Sequence, residues 1–406
     1  MHNYVFHFCL LCIVILDSCQ KETSINDPII SSLSNESGFI GSRLIITGSN
    51  FIQGKNQIIV HFGNIVAIVD SVTSNQLFLR VPEKLPVGAN AVFLSIQNRK
   101  SNSLTFNTSR SYKVITLAGN GDYGQRDGNG KEATFKQPSA ITMDSKGNLF
   151  VTDNYVIRKI DANGNVTTYA GSNSFGHEDG GIGIAKFYQR IGGIVADSLG
   201  SLYVSDRKFI RKINSTGEVN TVCGANDNSV FSSILGICLV NNMLYVTDIG
   251  QIKKISLTGS VEVLTGDGSF NSIDGSITNA KVIPIAITSD ISGNLIFTEF
   301  SFGHKIRIVT SSRVSTLQLQ SMNFKFYGGV ATDKEGNIFT VDGHSIVKLD
   351  ILGKAEIIAG NEGGYQDGNN TDAKFFSPNG LYVDDSNNIY VCDSFNNRIR
   401  KISPIN

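Results

Sequence analysis

From residue 28 onwards, hydrophobic and polar residues alternate in short runs that are separated by turn-forming residues. Early examples are RLIITGSNF (43–51), QIIVHFG (57–63) and QLFLRVP (76–82). Each run has the length of one β-strand and is bounded by Gly, Asn, Pro or Ser, which favour turns. The pattern predicts an all-β protein, in two regions that differ in how the runs are arranged.

The N-terminus has a different character, because residues 5–16 form one apolar run. A helix needs about 20 apolar residues to cross a bilayer, so this run is too short to span one and is typical of a secretory signal. It ends in Leu16-Asp17-Ser18-Cys19, which resembles the bacterial lipobox. The resemblance implies a signal peptide over residues 1–18, cleavage before Cys19 and lipidation of the Cys19 thiol. An ordinary signal peptide or a buried N-terminal strand is the alternative.

A polar stretch without periodicity follows over residues 19–27 and indicates a tether. Within it, Gln20-Lys21-Glu22 resembles the surface-export signal of Bacteroidetes lipoproteins. The resemblance implies a lipid-anchored location at the outer membrane or cell surface. We expect membrane contact only through the N-terminal lipid.

Residues 28–109 contain about seven short alternating runs, which is the strand density of an Ig-type sandwich. The element Leu44-x-Ile46-x-Gly48-x-Asn50-Phe51, followed by Val60-x-Phe62-Gly63, resembles the IPT/TIG domain. The resemblance implies an Ig-like sandwich that serves as a spacer or an interaction module and has no catalytic residues of its own. His61 lies within a strand, where we expect a structural role.

One strand pattern, apolar residues ending in an acidic residue, returns six times between residues 112 and 403. Its copies are NLFVTD (148–153), SLYVSD (201–206), MLYVTD (243–248), NLIFTE (294–299), NIFTVD (337–342) and NIYVCD (388–393). Each copy is followed by an Ile-basic strand such as IRKI (157–160), and most units end in a third pattern such as VTTYAG (166–171). Four strands per unit and a spacing of about 40 to 50 residues are typical of β-propeller blades.

The third pattern also occurs before the first unit, as VITLAG (114–119), and is missing after the last unit. We therefore expect residues 113–118 to supply the outermost strand of the last blade, which closes the ring at six blades and removes two exposed edges. Glycines such as Gly236 and Gly380 begin innermost strands, where the strands crowd around a central channel. The basic pairs of the Ile-basic strands, such as Arg158-Lys159, are expected to form a solvated, charged rim.

The last unit contains Asp393-Ser-Phe-Asn396-Asn397-Arg398-Ile399, which resembles the NHL repeat pattern D-x-x-N-H-R-I. Gly303-His304 and Gly343-His344 occupy the same position in the fourth and fifth units. The resemblance implies a six-bladed NHL-type propeller over residues 112–403. The predicted fold is therefore all-β, with an Ig-like (IPT/TIG) sandwich followed by that propeller.

The amino-acid composition excludes some classes of function. The chain has 406 residues, with 35 Lys and Arg against 35 Asp and Glu, so the basic face of a nucleic-acid-binding protein is not expected. Beyond the predicted signal peptide, which contains Cys9 and Cys12, the sequence has no CxxC pair and no Cys/His cluster with zinc spacing. Cys223, Cys238 and Cys392 each lie in an apolar run, which indicates buried free thiols, with a 223–238 bridge as the alternative.

Four long insertions between blades carry the candidate binding residues. They span 121–135, 173–187, 268–282 and 363–376, and each contains an aromatic residue, then Asp-Gly, then Ala-x-Phe or Ala-x-Val. The aromatic residues are Tyr123, Phe175, Phe270 and Tyr365, and the acids are Asp127, Asp179, Asp274 and Asp367. With His304 and His344 from the same face, they form a candidate ring of aromatics and carboxylates around the channel mouth, which could bind sugars or peptides. Because the pattern repeats, and repetition usually serves the scaffold, a structural role is favoured over this binding ring. In that structural role, each aromatic residue caps its own loop and each Asp-Gly is a turn.

Catalytic alternatives depend on a metal ion. The propeller has His177, His304 and His344, and the propellers that resemble amidating lyases hold a metal with three histidines in the channel. Lactonase-type propellers use inward carboxylates, and the aspartates that end innermost strands here are Asp144, Asp197, Asp290, Asp333 and Asp384. They recur in nearly every blade at the first position of a turn, so we expect a structural role. No DxDxDG calcium loop is present, and we expect neither a metal nor a cofactor.

The combined prediction is a non-catalytic cell-surface protein that binds a polysaccharide or another extracellular ligand through the propeller face with the long loops. The chain has no Trp, so Tyr and Phe would form any stacking surface for sugars. The first alternative is a protein-interaction scaffold in an outer-membrane assembly. The second is a metal-dependent propeller lyase or lactonase.

Overall fold

The computed structural model describes residues 26–51, 54–188, 191–225, 230–300, 305–320, 326–350 and 352–405. The predicted signal peptide, Cys19 and most of the predicted tether lie outside these residues, as does His304. The chain divides into two compact units, Met1–Ser109 and Arg110–Asn406. Over the described residues, no helix is long and apolar enough to cross a membrane.

The first unit is a sandwich of two sheets, built from short strands. The strands are β1 (Ile29–Leu33), β2 (Ser37–Phe39), β3 (Arg43–Ser49), β4 (Ile58–Phe62), β5 (Ile65–Ala67), β6 (Val69–Val72), β7 (Gln76–Arg80), β8 (Gly88–Ile96), β9 (Arg99–Lys100) and β10 (Leu104–Ser109), with a 3-10 helix at Lys55–Gln57. One sheet has the order β1-β3-β7-β6. The other has the order β2-β10-β8-β4-β5, with β9 beside β8.

The element that resembles the IPT/TIG domain places its residues as that resemblance implies. Leu44 and Ile46 point into the core between the two sheets, in alternation with more exposed neighbours. Gly48 lies where β3 approaches β1 so closely that a Cβ atom would clash with the carbonyl oxygen of Ile29. Asn50 then adopts a φ of 62°, a left-handed turn after which Phe51 enters the core.

The second unit consists of six sheets, one for each propeller blade. Strand β11 (Tyr112–Ala118) comes first, and the strands of the six blades follow in chain order. They are β12 (Gly128–Asn129), β13 (Pro138–Met143), β14 (Leu149–Asp153), β15 (Val156–Ile160) and β16 (Asn165–Gly171) in blade 1; β17 (Ile194–Ala196), β18 (Leu202–Asp206), β19 (Phe209–Ile213) and β20 (Val219–Gly224) in blade 2; β21 (Ile237–Val240), β22 (Met243–Asp248), β23 (Gln251–Ser256) and β24 (Val261–Thr265) in blade 3; β25 (Gly275–Ser276), β26 (Pro284–Ser289), β27 (Leu295–Glu299), β28 (Ile306–Val309) and β29 (Arg313–Thr316) in blade 4; β30 (Phe326–Thr332), β31 (Ile338–Asp342), β32 (Ser345–Leu349) and β33 (Ala355–Ala359) in blade 5; and β34 (Gly368–Asn369), β35 (Leu381–Val383), β36 (Ile389–Asp393) and β37 (Arg398–Pro404) in blade 6. Short 3-10 helices lie at Gly130–Glu132, Asn370–Asp372 and Ser394–Asn396.

Strand β11 joins the two ends of the propeller. It pairs antiparallel with β37, from Tyr112 opposite Pro404 to Ala118 opposite Ile399, and so becomes an outer strand of blade 6. The buried backbone N–H of Tyr112 also donates to Asn370 Oδ1 at 2.7 Å. The prediction that residues 113–118 complete the last blade is confirmed. The pairing leaves no unpaired edge on β37, which removes a site for aggregation.

The innermost strands form a closed ring in the order β13-β17-β21-β26-β30-β35 around a central channel. Hydroxyl groups on the second strands tie one blade to the next, because Ser205 Oγ donates to Leu235 O at 3.0 Å and Thr247 Oγ1 to Ile285 O at 2.7 Å. Backbones also approach closely here. A Cβ atom on Gly380 would lie 2.6 Å from Ser139 O of blade 1, so only glycine fits.

The three described cysteines are free. Cys238 and Cys392 are buried and Cys223 is half-buried. Burial raises the pKa of all three thiols, which keeps them protonated at neutral pH. The structure forms no 223–238 bridge, and the expectation of free thiols is confirmed.

Candidate functional site

The four long insertions pass along the outer edge of their own blades. In blade 1, β12 pairs with the outermost strand β16 and so adds a fifth strand to the sheet. Blades 4 and 6 have the same arrangement, and blade 2 has a single bridge between Gly180 and Val219 at this place. The candidate ring of carboxylates around the channel mouth is therefore wrong, because the Asp-Gly segments lie beside the outermost strands rather than the innermost ones.

Each Asp of these Asp-Gly segments pairs with a buried arginine of its own blade. In blade 1, Arg158 Nη2 lies 2.9 Å from Asp127 Oδ1, and Arg158 Nη1 lies 3.3 Å from Asp153 Oδ2, the acid that ends β14. The other three sets are Arg211 with Asp179 and Asp206, Arg307 with Asp274 and Glu299, and Arg400 with Asp367 and Asp393. All four arginine side chains are fully buried, so the expectation of a solvated rim at these arginines is wrong.

A threonine of the outermost strand completes each set. Asp179 accepts hydrogen bonds from the backbone N–H of Thr221 at 2.9 Å and from its hydroxyl at 2.9 Å. The equivalent residues are Thr168, Thr316 and Thr116, which bind Asp127, Asp274 and Asp367. Blades 3 and 5, which lack the Asp-Gly insertion, have Val263 and Ile357 at this position and Lys253 and Val347 at the arginine position. This co-occurrence of arginine, threonine and insertion was readable in the sequence and identifies a structural unit.

The protonation of these acids follows from their burial and partners. Burial raises the pKa of Asp153 and of Asp206 to about 6, against the lowering effect of the adjacent arginine. Burial also raises the pKa of Asp179, but the Thr221 N–H and Arg211 together outweigh it, so the pKa of Asp179 lies below its ordinary value. Because Asp153 and Asp206 are fully buried, neither can transfer a proton to a ligand in the channel.

The four loop aromatics are exposed, but they do not converge. Tyr123 lines the cavity in the channel, whereas Phe175 and Phe270 are exposed away from its lining. Tyr365 is engaged within blade 6, because its hydroxyl lies 3.0 Å from Thr116 Oγ1 and the Arg398 guanidinium lies 3.7 Å from its ring centroid. Ten binding residues were predicted, and the structure describes all of them except His304. Among those described, only Tyr123 lines the channel cavity.

The described propeller histidines contact residues of their own or the next blade and do not come together. The His177 ring stacks on Phe209 with 3.7 Å between the centroids, and its Nε2 lies 3.2 Å from Thr221 Oγ1. Burial, together with the charge of Arg211, lowers the pKa of His177. His344 Nδ1 accepts the backbone N–H of Ser377 at 3.2 Å. Across the described residues, no group of three or more His, Cys, Asp or Glu side chains could hold a metal ion.

The aspartates that end the innermost strands are turn residues. Asp144 Oδ1 accepts the backbone N–H groups of Lys146 at 2.9 Å and Asn148 at 2.8 Å, and its Oδ2 accepts the Asn148 side-chain amide at 2.8 Å. The same hydrogen bonds recur in whole or in large part at Asp197, Asp290, Asp333 and Asp384. Their expected structural role is confirmed, because the turn itself occupies these carboxylates.

A cavity of about 400 Å³ occupies the channel at the end where the innermost strands begin. All six blades contribute to its wall through residues at or just before these strands. Its rim carries Tyr123, Lys136, Gln137, Asn154 and Phe395. The sequence analysis missed Lys136, which belongs to a loop, and Asn154, which belongs to a two-residue turn, because neither has a motif of its own. The volume and the mixture of aromatic and polar side chains are typical of a site for a small molecule or one end of a larger ligand.

Family comparisons agree with this architecture. Residues 28–112 match the IPT/TIG domain, and residues 375–402 match the NHL repeat. The chain is therefore an all-β protein in which an Ig-like IPT/TIG sandwich precedes a six-bladed NHL-type propeller.

Two solved structures share the fold over nearly the whole chain. One is an auxiliary nutrient binding protein from Bacteroides thetaiotaomicron, with a TM-score of 0.56, 18% identity, and coverage of 93% of this chain and 98% of that chain. The other is an auxiliary nutrient binding protein from Bacteroides ovatus, with a TM-score of 0.54, 17% identity, and coverage of 94% and 99%.

A curated relative is Teneurin-1 of Gallus gallus, which is 30% identical over 140 residues. That match covers 31% of this chain and 5% of Teneurin-1, so the chain spans a small part of the relative's length.

Proposed function

We propose that this protein is a non-catalytic binding protein of the cell envelope, and that it binds a saccharide at the mouth of the propeller channel. The observation that carries the proposal is the cavity of about 400 Å³, with exposed Tyr123 and Phe395 beside polar side chains at its rim. The two Bacteroides structures with this fold support it, since both are named auxiliary nutrient binding proteins.

The chemistry of the rim suits a sugar ring. Tyr123 and Phe395 offer flat apolar surfaces for the C–H face of a sugar, and Tyr123 also has a hydroxyl group. Lys136 and Gln137 supply hydrogen-bond donors for ring and hydroxyl oxygens, and Asn154 supplies an acceptor. A polysaccharide would place one terminal or kinked unit at this mouth, because the channel admits only part of a chain of that size.

Affinity electrophoresis of the chain against a panel of soluble polysaccharides tests the proposal. We expect one glycan to retard the protein, and Tyr123→Ala and Phe395→Ala to reduce the retardation at least tenfold. Phe175→Ala and Phe270→Ala are matched controls, because each removes an exposed aromatic ring of a long insertion that does not line the cavity. Retardation that depends on the control rings and not on Tyr123 or Phe395 would move the site to the loops.

A protein-interaction role is the second candidate, and one loop favours it. Phe175, Ile182 and Ile184 are all exposed in the insertion of blade 2, which places three large apolar side chains on one surface loop. Crosslinking on intact cells, followed by mass spectrometry, should then capture an outer-membrane protein through this loop. Capture that persists in a Phe175→Ser, Ile184→Ser variant would count against this candidate.

The envelope location rests on the lipobox-like Cys19. Metabolic labelling with an alkyne-bearing fatty acid should mark the wild-type protein in the membrane fraction. Cys19→Ala should abolish the label, whereas Cys12→Ala should retain it, because Cys12 belongs to the predicted signal peptide. Equal labelling of wild type and Cys19→Ala would exclude lipidation at Cys19.

A further inference from the structure

Below its rim, the channel cavity has an apolar wall. Aliphatic residues of several blades line it, of which Leu235 is exposed and Ile285 is half-buried, and glycines fill most of the remaining positions. Ile141, Ile194, Ile237 and Ile287 also line it, but only with the 5–6% of their surface that the blade cores leave exposed. The polar residues of this wall are Ser139, Asn379 and Ser394. Leu235 lies in the same wall and keeps 44% of its surface exposed. Its backbone is held on both sides, because its N–H donates to Thr247 O of its own blade and its carbonyl oxygen accepts from Ser205 Oγ of blade 2. A sugar ring, whose hydroxyl groups need hydrogen bonds, fits such a wall poorly, whereas an aliphatic group fits it well.

The rim has an unused hydrogen-bond acceptor. Asn154 lines the cavity and is only 8% exposed, and its Oδ1 is buried without a hydrogen-bond partner. The Asn154 backbone has a φ of 61°, and its carbonyl oxygen accepts a hydrogen bond from the Ile191 N–H at 3.2 Å. This hydrogen bond holds the backbone of Asn154 in place at the rim. A buried acceptor without a partner is unfavourable. Because Asn154 Oδ1 itself has almost no exposed surface, a ligand O–H or N–H at the rim would satisfy it once the side-chain amide turns toward the cavity.

Lys136 sets the charge of the mouth. Among the described residues that line the cavity, Lys136 is the one with a charged side chain. Its Nζ lies 3.2 Å from Tyr155 Oη and 5.4 Å from the centre of the Tyr123 ring, so it stands beside the aromatic rim. A positive charge here favours oxygen-rich or anionic head groups and disfavours cationic ones.

We propose that the channel holds the aliphatic part of an amphiphilic ligand, whose hydroxyl-bearing head lies at the rim against Asn154, Lys136 and Tyr123. The inference rests on the proposed function in that it uses the same mouth, and it narrows the ligand to a saccharide joined to an aliphatic chain. The apolar wall selects the chain, and the unpaired Asn154 Oδ1 receives a head-group hydroxyl.

The test is calorimetric titration of the full chain with methyl, butyl, hexyl and octyl β-D-glucopyranoside, each below its micelle concentration. Transfer of each methylene from water to an apolar site should raise the affinity about fourfold until the cavity is full. The stoichiometry should be one ligand per chain. Hexyltrimethylammonium, which has the same chain on a cationic head, should bind at least tenfold more weakly than hexyl glucoside.

Two variants separate the chain site from the head site. Leu235→Asp should abolish the dependence on chain length, whereas Leu199→Asp, which changes an 88% exposed leucine outside the cavity lining, should leave it unchanged. Asn154→Gly should weaken every glucoside by about the same factor, roughly fivefold to tenfold for one hydrogen bond. Glycine adopts a φ of 61° freely, so this variant keeps the backbone. Thermal unfolding of each variant verifies that it folds.

An affinity that does not change with chain length in the wild type overturns the inference, and so does chain-length dependence that survives in Leu235→Asp. Retardation by a polysaccharide without any chain-length effect leaves the proposed function standing while this inference fails. Chain-length dependence without retardation by any polysaccharide supports the amphiphile site and removes the polysaccharide as its ligand.

Discussion

At the scale of single residues, the propeller depends on buried charges that are satisfied within each blade. Arg158 has no exposed side-chain surface, yet it carries a full positive charge between Asp153 and Asp127. Burial of such a charge is tolerable only because two carboxylates and two backbone carbonyls, those of Thr134 and Arg126, surround the guanidinium. Removal of one partner leaves the others buried without compensation.

Arg158→Met should therefore lower the free energy of unfolding by about 3–5 kcal/mol, because it leaves Asp153 buried without its cation. Urea unfolding followed by circular dichroism measures the loss. Lys159→Met is the matched control, since Lys159 is the next residue of the same strand, is partly exposed and should change the value by less than about 0.5 kcal/mol. Equal stability of the two variants would contradict the role given to Arg158.

The strand-end acids also predict how stability depends on pH. Asp153 and Asp206 have pKa values of about 6 in the folded chain against 3.8 as the ordinary value, so the folded state takes up protons first as pH falls. Their contribution to stability is thus present below 3.8 and is lost as pH rises through about 6. The thermal midpoint should rise between pH 7 and pH 5. In the double variant Asp153→Asn, Asp206→Asn, that rise should be smaller, and an unchanged rise would exclude these two groups as its source.

At the scale of elements, each long insertion is secured by a side-chain set that comes from three separate strands or loops. Asp179 of the blade 2 insertion binds Arg211 of β19 and Thr221 of β20. The insertion is thereby fastened along the outer edge, and its aromatic end is left exposed. Blades 3 and 5 have no such insertion to fasten, and they have other residues in place of the arginine and the threonine.

Thr221→Val should lower the free energy of unfolding by about 1 kcal/mol, because it removes the hydroxyl that donates to Asp179 and keeps the shape of the side chain. Chemical denaturation of the purified chain measures it. Asn220→Val is the control on the adjacent, exposed position of the same strand, where β-branched residues are favoured. A loss at Asn220 as large as that at Thr221 would show that the strand, and not the hydrogen bond, is responsible.

At the scale of the whole molecule, the propeller is closed by strand β11, which comes from the opposite end of the second unit to β37. The ring gains its last sheet only when residues about 290 positions apart along the chain meet, as the pairing of Tyr112 with Pro404 shows. Such non-local closure makes folding of the ring cooperative and removes two edges that would otherwise be exposed.

A chain that begins at Arg110 should therefore be monomeric and unfold in one cooperative transition. A chain that begins at Gly119 lacks β11, leaves the edge of β37 unpaired and should aggregate or unfold at a lower temperature. Size-exclusion chromatography with light scattering and a thermal melt distinguish the two. If the shorter chain were a monomer of equal stability, closure by β11 would not matter to the fold.

The fold could be predicted in detail because its signals are local and repeated. Each blade repeats the same strand sequence, and the surplus VITLAG before the first unit showed how the ring closes. The Ig-like unit was likewise visible from Leu44 to Phe51, since Gly48 and Asn50 serve needs of the backbone at their own positions.

The site was much less predictable, and the aspartates of the insertions show why. An Asp-Gly pair in a long polar loop is equally compatible with a ligand site and with a turn, until its partner is known. The partner of Asp127 is Arg158, which lies on a different strand, and the basic residues of that strand looked solvated because they alternate with isoleucine. Basic residues and isoleucines do alternate along this strand. However, Arg158 faces the buried space between the blade and its insertion, whereas Lys159 is partly exposed.

The sequence by itself determined the strand pattern, the number of blades, the closing strand and the Ig-like unit, because these depend on residues that are neighbours along the chain or on a repeat of them. Only the tertiary structure decided which loop residues reach the channel, since the insertions turn outward along their blades and leave Tyr123 at the mouth. It also decided that Asn154 and Lys136 of blade 1 lie at the rim of a cavity, because that cavity is formed by residues that only the ring of six blades brings together.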